Sequence, residues 1–317
     1  MELDSTVQVV FEDLKNQNFD LFIAACGYET RSIFLPQRLA SHQAKRKVAI
    51  AFTEHCGDLS RPFNDKVLTQ LGFEFCDASM LNIEKITHVL TDLCTSQKKE
   101  ELNILVDYSS MPKLWYNAII NYFLELESEH KNVHICFSYT PSEYSKATKN
   151  ISNRFLDSAI PASSSSKPKA LVIGLGYEKG RAEELANKLK ADVTYSFYSD
   201  PAVDPRFVAE LVDNNKSVLN NLESARIIKY PIYDLNFINT ALTNLCVDLR
   251  LTHQIVLAPL GPKPFTLMCF LMNARYPDTK IWRITSGLPK EVADRKPNGE
   301  LLIYKVLFTS EGVDYDE

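Results

Sequence analysis

A three-residue motif, Gly-Tyr-Glu, occurs twice in this chain, each time directly after the first apolar run of one half of the sequence. Each copy is followed by an arginine, so the two sets are Gly27, Tyr28, Glu29 and Arg31, and Gly176, Tyr177, Glu178 and Arg181. A second pair of related segments lies downstream, DYSSMPK at 107–113 and PLGPK at 259–263. Two motifs repeated in the same order indicate a tandem duplication.

The spacing of the motifs supports the duplication. Lys113 lies 113 − 27 = 86 positions after Gly27, and Lys263 lies 263 − 176 = 87 positions after Gly176. The chain has 317 residues, which is enough for two domains of about 150 residues each. We therefore predict an N-terminal domain at 1–160, a linker at 161–168 and a C-terminal domain at 169–317. The linker contains four consecutive serines between two prolines.

Both halves have the same alternation of secondary structure. Short apolar runs typical of strands alternate with stretches of helical period, such as the segment 32–42 after the first motif. This alternation predicts an α/β fold, with two tandem Rossmann-like doubly wound parallel sheets related by internal duplication. Within each sheet we expect the strand order 3-2-1-4-5. The last apolar run, 299–308, predicts an additional antiparallel strand.

Composition excludes several classes of protein. The net charge of −5 argues against non-specific nucleic-acid binding, which requires a basic excess. The N-terminus lacks the apolar core of a signal peptide, and no apolar run approaches the roughly 18 residues of a membrane span. Seven cysteines without a CxxC pair are typical of reduced thiols, and the six histidines form no metal-binding pattern. We expect a cytoplasmic protein that binds neither membrane nor metal.

The predicted strand order gives the repeated motifs a position. Gly-Tyr-Glu follows strand 1 and the lysine-bearing loop follows strand 4 in each half. In a doubly wound sheet those strands are neighbours, and ligands bind at their carboxyl ends, where the chain reverses direction. We therefore predict that the two repeated loops form the walls of one crevice in each half.

The residues after strand 1 allow structural and functional interpretations. Gly27 and Gly176 could adopt positive φ or let the backbone approach a ligand, or they could form a tight turn without a ligand. The glutamates could stabilise a helix N-terminus, bond a ribose hydroxyl or act as general bases. Arg31 and Arg181 could hold a phosphate or form an ion pair with their own glutamates. The sequence leaves these alternatives open.

The loop after strand 4 carries more chemistry in the first half. Ser109, Ser110 and Lys113, together with backbone amides at the start of a helix, would form an anion site, and Asp107 is an acid–base candidate. The second copy keeps Lys263 but has neither a carboxylate nor a hydroxyl at the corresponding positions. A further candidate, the adjacent pair His55 and Cys56, follows strand 2. Adjacent residues rarely form a catalytic pair, so we rank it lower.

The lysine-bearing loop and the tandem architecture resemble the CRISPR-associated Rossmann fold (CARF) family and its fused relatives, the SAVED domains. The resemblance covers the architecture of most of the chain, but its sequence motif is short. Lys113 and Lys263 match the lysine of the family's Thr-Gly-Gly-Thr-Lys pattern, whereas Gly-Tyr-Glu has no counterpart in it. The resemblance implies that two such loops bind a cyclic oligonucleotide in a prokaryotic stress or antiviral defence system.

We therefore expect a sensor of a nucleotide-type ligand that acts with a protein partner or as a homo-oligomer. Its ligand contacts would come from both Gly-Tyr-Glu motifs and both lysine-bearing loops. One alternative is an enzyme acting on a nucleotide or phosphorylated sugar, with Asp107 or Glu29 as the acid or base and Lys113 stabilising negative charge. Another is a scaffold without a small ligand. The sequence indicates no particular cofactor.

Overall fold

The computed structural model describes residues 1–97, 99–127, 130–145, 167–282 and 292–310. The chain divides into two units, the first comprising Met1–Glu143 and Val292–Glu317 and the second Tyr144–Glu291. The predicted linker at 161–168 falls almost wholly outside the described residues.

The first unit is built on a seven-stranded sheet. Its strands are β1 (Glu2–Val9), β2 (Phe19–Cys26), β3 (Ala44–Phe52), β4 (Glu74–Ala78), β5 (Glu101–Asp107), β6 (Asn132–Tyr139) and β12 (Leu302–Thr309). Its helices are α1 (Phe11–Lys15), α2 (Arg61–Gln70), α3 (Glu84–Ser96) and α4 (Lys113–Glu125). The order across the sheet is β1-β12-β6-β5-β2-β3-β4.

The second unit has a five-stranded parallel sheet. Its strands are β7 (Lys169–Gly174), β8 (Val193–Ser199), β9 (Ile227–Tyr230), β10 (Gln254–Pro259) and β11 (Lys280–Ile281). Its helices are α5 (Arg181–Leu189), α6 (Pro205–Asn214), α7 (Lys216–Asn220), α8 (Leu235–Thr252) and α9 (Lys263–Arg275). The order across the sheet is β11-β10-β7-β8-β9.

The strand order confirms the predicted fold in both units. The parallel strands β2 to β6, numbered one to five, lie in the order 3-2-1-4-5, and β7 to β11 lie in the same order. Strands one and four are neighbours in each unit, because β2 pairs with β5 and β7 pairs with β10. The chain is therefore an α/β protein with two Rossmann-like sheets.

The helices after the fourth strands match closely between the units. Helices α4 and α9 both have 13 residues, and both begin at the lysine of the repeated loop. The preceding prolines, Pro112 and Pro262, are the N-caps, with φ and ψ of −61° and 152° and of −62° and 156°. Each proline thus lies one position before the first helical residue and needs no backbone donor there.

The segment after β2 differs from its prediction. Residues 32–42 were predicted to form a helix but contain short 3-10 turns at Thr30–Ile33, Pro36–Arg38 and Ser41–Gln43. Pro36 lies in the middle of the segment, where its ring and missing N–H interrupt a continuous helix. Ile33, Phe34 and Leu35 are nonetheless buried, so the apolar pattern reports burial without a regular helix.

The last strand is antiparallel, as predicted, but it belongs to the first sheet. Strand β12 pairs with β6 on one side and with β1 on the other. The sequence-based division instead includes this segment in the C-terminal domain at 169–317. The pairing gives β6 a neighbour on the side away from β5, which satisfies its backbone hydrogen bonds. Sequence periodicity identifies such a strand but not its partner.

The seven cysteines are free thiols, of which Cys56 is exposed. Burial raises the pKa of Cys246 and of Cys136 to about 12, so these thiols remain protonated at neutral pH. Across the described ranges, no helix combines the length and apolar character needed to cross a bilayer. Within the same ranges, no cluster of three or more metal-binding side chains is present.

Candidate functional site

The two repeated loops of the first unit are in direct contact. Ser110 Oγ donates a hydrogen bond of 2.9 Å to Glu29 Oε2, which joins the loop after β5 to the loop after β2. Both loops leave the carboxyl ends of paired parallel strands, because Ala24 in β2 is the register partner of Asp107 in β5. The structure therefore brings Glu29 and Ser110 together at the predicted switch point.

Gly27 does not adopt positive φ, one of the alternatives that the sequence left open, and it lies close to the Phe52 ring. Its φ lies outside the left-handed region, and the same is true of Gly176. A Cβ at Gly27 would lie 3.1 Å from Cε2 of Phe52, whose ring stacks on Trp115 at a centroid distance of 4.6 Å. The glycine thus makes room for an aromatic stack under the loop.

A buried asparagine that sequence reasoning missed holds the first Gly-Tyr-Glu loop. Nδ2 of Asn64, on α2, donates to Gly27 O, Glu29 O and Ser32 Oγ, each at 2.9 Å. In the second unit, Nδ2 of Asn215 donates to Gly176 O at 2.8 Å. The two asparagines follow their glycines by 37 and 39 positions, so aligning the halves would have revealed them.

The glutamate and arginine of the first motif form an ion pair. Arg31 Nε lies 2.9 Å from Glu29 Oε2, and the arginine side chain is 7% exposed. Its Nη1 also donates to Tyr139 OH and to Thr140 O. Burial acts to lower the pKa of Arg31, but the Glu29 carboxylate and Tyr139 outweigh it, so the pKa is raised. Arg31 therefore holds Glu29 and the loop after β6, and a phosphate would have to displace these contacts.

Asp107 and Ser109 lie beneath the crevice. Asp107 is 2% exposed and Ser109 is fully buried. Both the backbone N–H and the hydroxyl of Ser109 donate to Asp107 Oδ1, and Ser109 Oγ accepts from Thr140 N at 2.8 Å. These contacts tie the carboxyl ends of β5 and β6 together. They make Asp107 and Ser109 framework residues of the loop and remove them from the solvent-facing wall.

Of the site residues predicted for the first unit, four are partly exposed. They are Tyr28, Glu29, Ser110 and Lys113. Lys113 is the first residue of α4, where the positive end of the helix dipole favours an anion. The exposed part of the site therefore combines a carboxylate, a hydroxyl and a lysine with a helix N-terminus.

The loop after β3 lies beside Tyr28. The Tyr28 and His55 rings meet edge to face at 5.6 Å, and Ser60 N donates to Tyr28 O. His55 Nδ1 lies 2.6 Å from Asp58 Oδ2, and the His55 backbone is left-handed, with φ of 59°. Since a carboxylate can only accept, Nδ1 carries the proton of this hydrogen bond, which leaves Nε2 as the ring's other nitrogen. Cys56 Sγ instead donates to Thr53 O at 3.1 Å.

Charged groups from several parts of the site influence the pKa of the Tyr28 phenol. Burial, together with the nearby Glu29 carboxylate, raises its pKa to about 12, whereas the charges of Arg295 and Arg31 act in the opposite direction. Asp58 contributes a smaller raising effect. The phenol therefore lies within electrostatic range of both the Glu29–Arg31 pair and the loop after β3, and it remains protonated at neutral pH.

A segment from the C-terminal part of the chain crosses this edge of the first unit. We call residues 292–298 the returning segment, because it leads back to β12. Asp294 accepts hydrogen bonds from Thr30 N and Thr30 Oγ1, both at 2.7 Å, and Arg31 N donates to Arg295 O. The contacts join residues 264 positions apart, and no local sequence signal predicts them.

The corresponding loops of the second unit pack against each other through their backbones. A Cβ at Gly176 would lie 2.5 Å from Leu260 O, and one at Gly261 would lie 2.9 Å from Leu175 O. Glycines at both positions allow the loop after β7 to contact the loop after β10 directly. The space between them is therefore occupied by main chain, which is a different arrangement from the side-chain bridge of the first unit.

The other motif residues of the second unit also make contacts within that unit. Arg181 Nη1 is bonded to Glu178 Oε2, and the arginine side chain is 7% exposed. The Tyr177 ring packs on Phe207 at 5.0 Å, and Tyr177 O accepts from Asn214 Nδ2. Lys263, at the start of α9, is half-buried. In both units the motif arginine is thus paired with its own glutamate.

No protein-family model matches the chain, and no curated protein matches it. The resemblance to the CARF and SAVED domains rests on the lysine-bearing loops and the architecture, and it stays a prediction. What the chain itself establishes is a pair of Rossmann-like units with one side-chain-lined and one backbone-packed switch point.

Proposed function

We propose that the first unit binds a nucleotide-type ligand in the crevice between the loops after β2 and β5, and that the chain is a sensor of that ligand. The hydrogen bond between Ser110 Oγ and Glu29 Oε2 carries the proposal, because it joins the two repeated loops at the carboxyl ends of strands one and four. Doubly wound sheets bind ligands at that position.

The exposed residues suit the two polar parts of a nucleotide. Glu29 is held by Arg31, so its carboxylate is positioned to accept hydrogen bonds from ribose hydroxyls. Lys113 and the N-terminus of α4 suit a phosphate, because both present positive charge. In this assignment Arg31 positions Glu29 and does not contact the ligand itself. Lys113 is the cation that contacts the phosphate.

The second unit has a supporting role in this proposal. The contact between Gly176 and Leu260 O leaves no room for a ligand between its two loops. We therefore expect one ligand per chain. The resemblance to the CARF family implies a cyclic oligonucleotide as that ligand and a prokaryotic stress or antiviral defence system as the setting. A sensor of this kind would act through a partner protein or a second copy of the chain.

Isothermal titration against mononucleotides, dinucleotides and cyclic oligonucleotides tests the proposal. We expect binding of at least one of them with a stoichiometry of one per chain, and a loss of about tenfold in affinity for Lys113→Gln, because one charge contact is removed. Lys263→Gln is the matched control and should bind as the wild type does. If no nucleotide binds below millimolar concentration, the proposal is refuted.

A second candidate function, an enzyme, is favoured by the pair of His55 and Asp58. A carboxylate on Nδ1 orients an imidazole and leaves Nε2 to take a proton, as in a general base. His55 lies beside Tyr28 at the same edge of the sheet. Asp107, the acid–base residue predicted from the sequence, is less suited because it is buried and engaged by Ser109.

A turnover screen on the same nucleotides separates the two functions. For an enzyme, His55→Gln should lower kcat at least a hundredfold with little change in affinity, since general acid–base groups contribute roughly that much. His88→Gln is the control, because His88 is exposed on α3 and its Nε2 lies 3.7 Å from Asp92 Oδ2, which is too far for a hydrogen bond. Binding without turnover in the wild type supports the sensor, and equal turnover in both variants refutes a role for His55.

A further inference from the structure

We propose that the returning segment, residues 292–298, completes the ligand site of the first unit, with Arg295 contacting the ligand's phosphate and Asp294 positioning it. This inference rests on the proposed nucleotide site and adds a residue and a ligand group to it. No sequence motif includes these residues, and they lie more than 260 positions after the Gly-Tyr-Glu loop that they contact.

The returning segment is attached to the loops on both sides of it. Asp294 accepts from the backbone and side chain of Thr30, and Arg31 N donates to Arg295 O at 3.0 Å. On its other side, Glu143 N donates to Lys296 O at 2.9 Å, and Asn298 N donates to Pro141 O at 3.0 Å. The segment therefore bridges the loops that follow β2 and β6.

Asp294 determines where Arg295 lies. Thr30 is the first residue of the 3-10 turn after Glu29, and the Glu29 side chain makes no cap for that turn. Both carboxylate oxygens of Asp294 accept from Thr30 at 2.7 Å, so Asp294 supplies the cap from a distant part of the chain. A residue fixed in this way holds its neighbour, Arg295, against the Gly-Tyr-Glu loop.

Of the two arginines at this edge, Arg295 is the better placed to contact a phosphate. Arg31 is buried and paired with Glu29, whereas Arg295 is partly exposed. The positive charges of Arg295 and Arg31 both act to lower the pKa of the Tyr28 phenol, so Arg295 lies within electrostatic range of the motif tyrosine. A planar guanidinium also matches the oxygens of a phosphate in a bidentate geometry.

The full-length chain with single substitutions provides the test. ATP, AMP, cyclic di-AMP and adenosine are titrated calorimetrically into the wild type, Arg295→Gln and Lys296→Gln. Lys296 is the matched control, because it is the exposed neighbour and loses the same charge. We expect Arg295→Gln to weaken the phosphate-bearing probe that binds the wild type about tenfold and to reduce the salt dependence of its binding. Lys296→Gln should change affinity less than twofold.

Two further variants distinguish charge from position. Arg295→Lys should recover part of the affinity, because it restores the charge without the guanidinium fork. Asp294→Asn should weaken the same probe while its circular dichroism spectrum matches that of the wild type. Adenosine, which has no phosphate, should be insensitive to all four variants.

The outcomes separate this inference from the proposed function. If a nucleotide binds the wild type and Arg295→Gln binds it equally well, the role of Arg295 is overturned while the nucleotide site stands. If Lys296→Gln weakens binding as much as Arg295→Gln, the effect is one of general charge, and the inference is also overturned. If neither these probes nor any other mononucleotide, dinucleotide or cyclic oligonucleotide binds the wild type below millimolar concentration, the proposed function and the inference both fail.

Discussion

The switch points of the two units differ in what fills the space between their loops. In the first unit, side chains meet there, and Ser110 Oγ bonds to Glu29 Oε2. In the second unit, the main chains meet, because Gly176 and Gly261 allow the loops to approach within van der Waals distance. The same fold and nearly the same motif spacing therefore support one polar crevice and one closed packing contact.

What the units share is a framework. Each has an asparagine that binds the motif glycine carbonyl, an arginine paired with the motif glutamate, and a proline-capped helix of 13 residues. Features kept in both units support the loops mechanically, whether or not the crevice is open. The Gly-Tyr-Glu motif thus holds its loop in both units, and the difference in ligand binding lies in the first unit, where Ser110 bridges to Glu29 and side chains line the crevice.

The largest expected effect tests the closed packing of the second unit. Gly176→Ala places a Cβ 2.5 Å from Leu260 O, a backbone atom, so we expect a loss of about 3 kcal/mol in the free energy of unfolding. Gly27→Ala meets the Phe52 ring at 3.1 Å, and a side chain can shift, so its loss should be about 1 kcal/mol. Urea denaturation of both variants measures the difference. Equal losses would contradict the distinction between backbone and side-chain packing.

The shared asparagines should have similar effects in the two units. Asn64→Ala leaves the carbonyls of Gly27 and Glu29 without that donor, and Asn215→Ala does the same to Gly176 O. We expect each substitution to lower the free energy of unfolding by about 2 kcal/mol. Asn220→Ala, at an exposed position on α7, is the control and should cost less than about 0.5 kcal/mol. An effect in one unit alone would show that the framework is not shared.

A smaller difference is expected between the two motif glutamates. Glu29→Gln and Glu178→Gln each remove the charge that faces a buried arginine. The Glu178 side chain is 31% exposed and that of Glu29 is 18% exposed, so water compensates more fully in the second unit. We expect losses of about 1.5 kcal/mol for Glu29→Gln and about 0.5 kcal/mol for Glu178→Gln in denaturant unfolding. The reverse order would argue against Glu29 as the more tightly held residue.

The sequence predicted the features that depend on local pattern. Apolar runs and helical periods revealed the alternation of strands and helices, and the duplication placed the repeated loops after strands one and four. Pro36 was present in the sequence, but the apolar residues around it suggested a helix where 3-10 turns form. The prediction was wrong because the apolar residues of this segment are buried in the core without forming one face of a regular helix.

Other features depend on contacts between distant residues. The pairing of β12 with β6 and the Asp294–Thr30 hydrogen bonds each join segments more than 160 positions apart, and no short-range signal encodes them. The sequence also did not reveal that side chains line the crevice of the first unit whereas backbone fills that of the second. Gly27 and Gly176 look alike in sequence. Only the neighbouring atoms, Leu260 O in one case and the Phe52 ring in the other, distinguish them.

Hydrogen–deuterium exchange with and without the tightest-binding nucleotide tests the central claim most directly. We predict that the ligand slows exchange in peptides that cover 27–31, 109–113 and 292–298, and leaves peptides that cover 175–181 and 259–263 unchanged. Protection of the second-unit loops, alone or to the same extent as those of the first, would contradict the account.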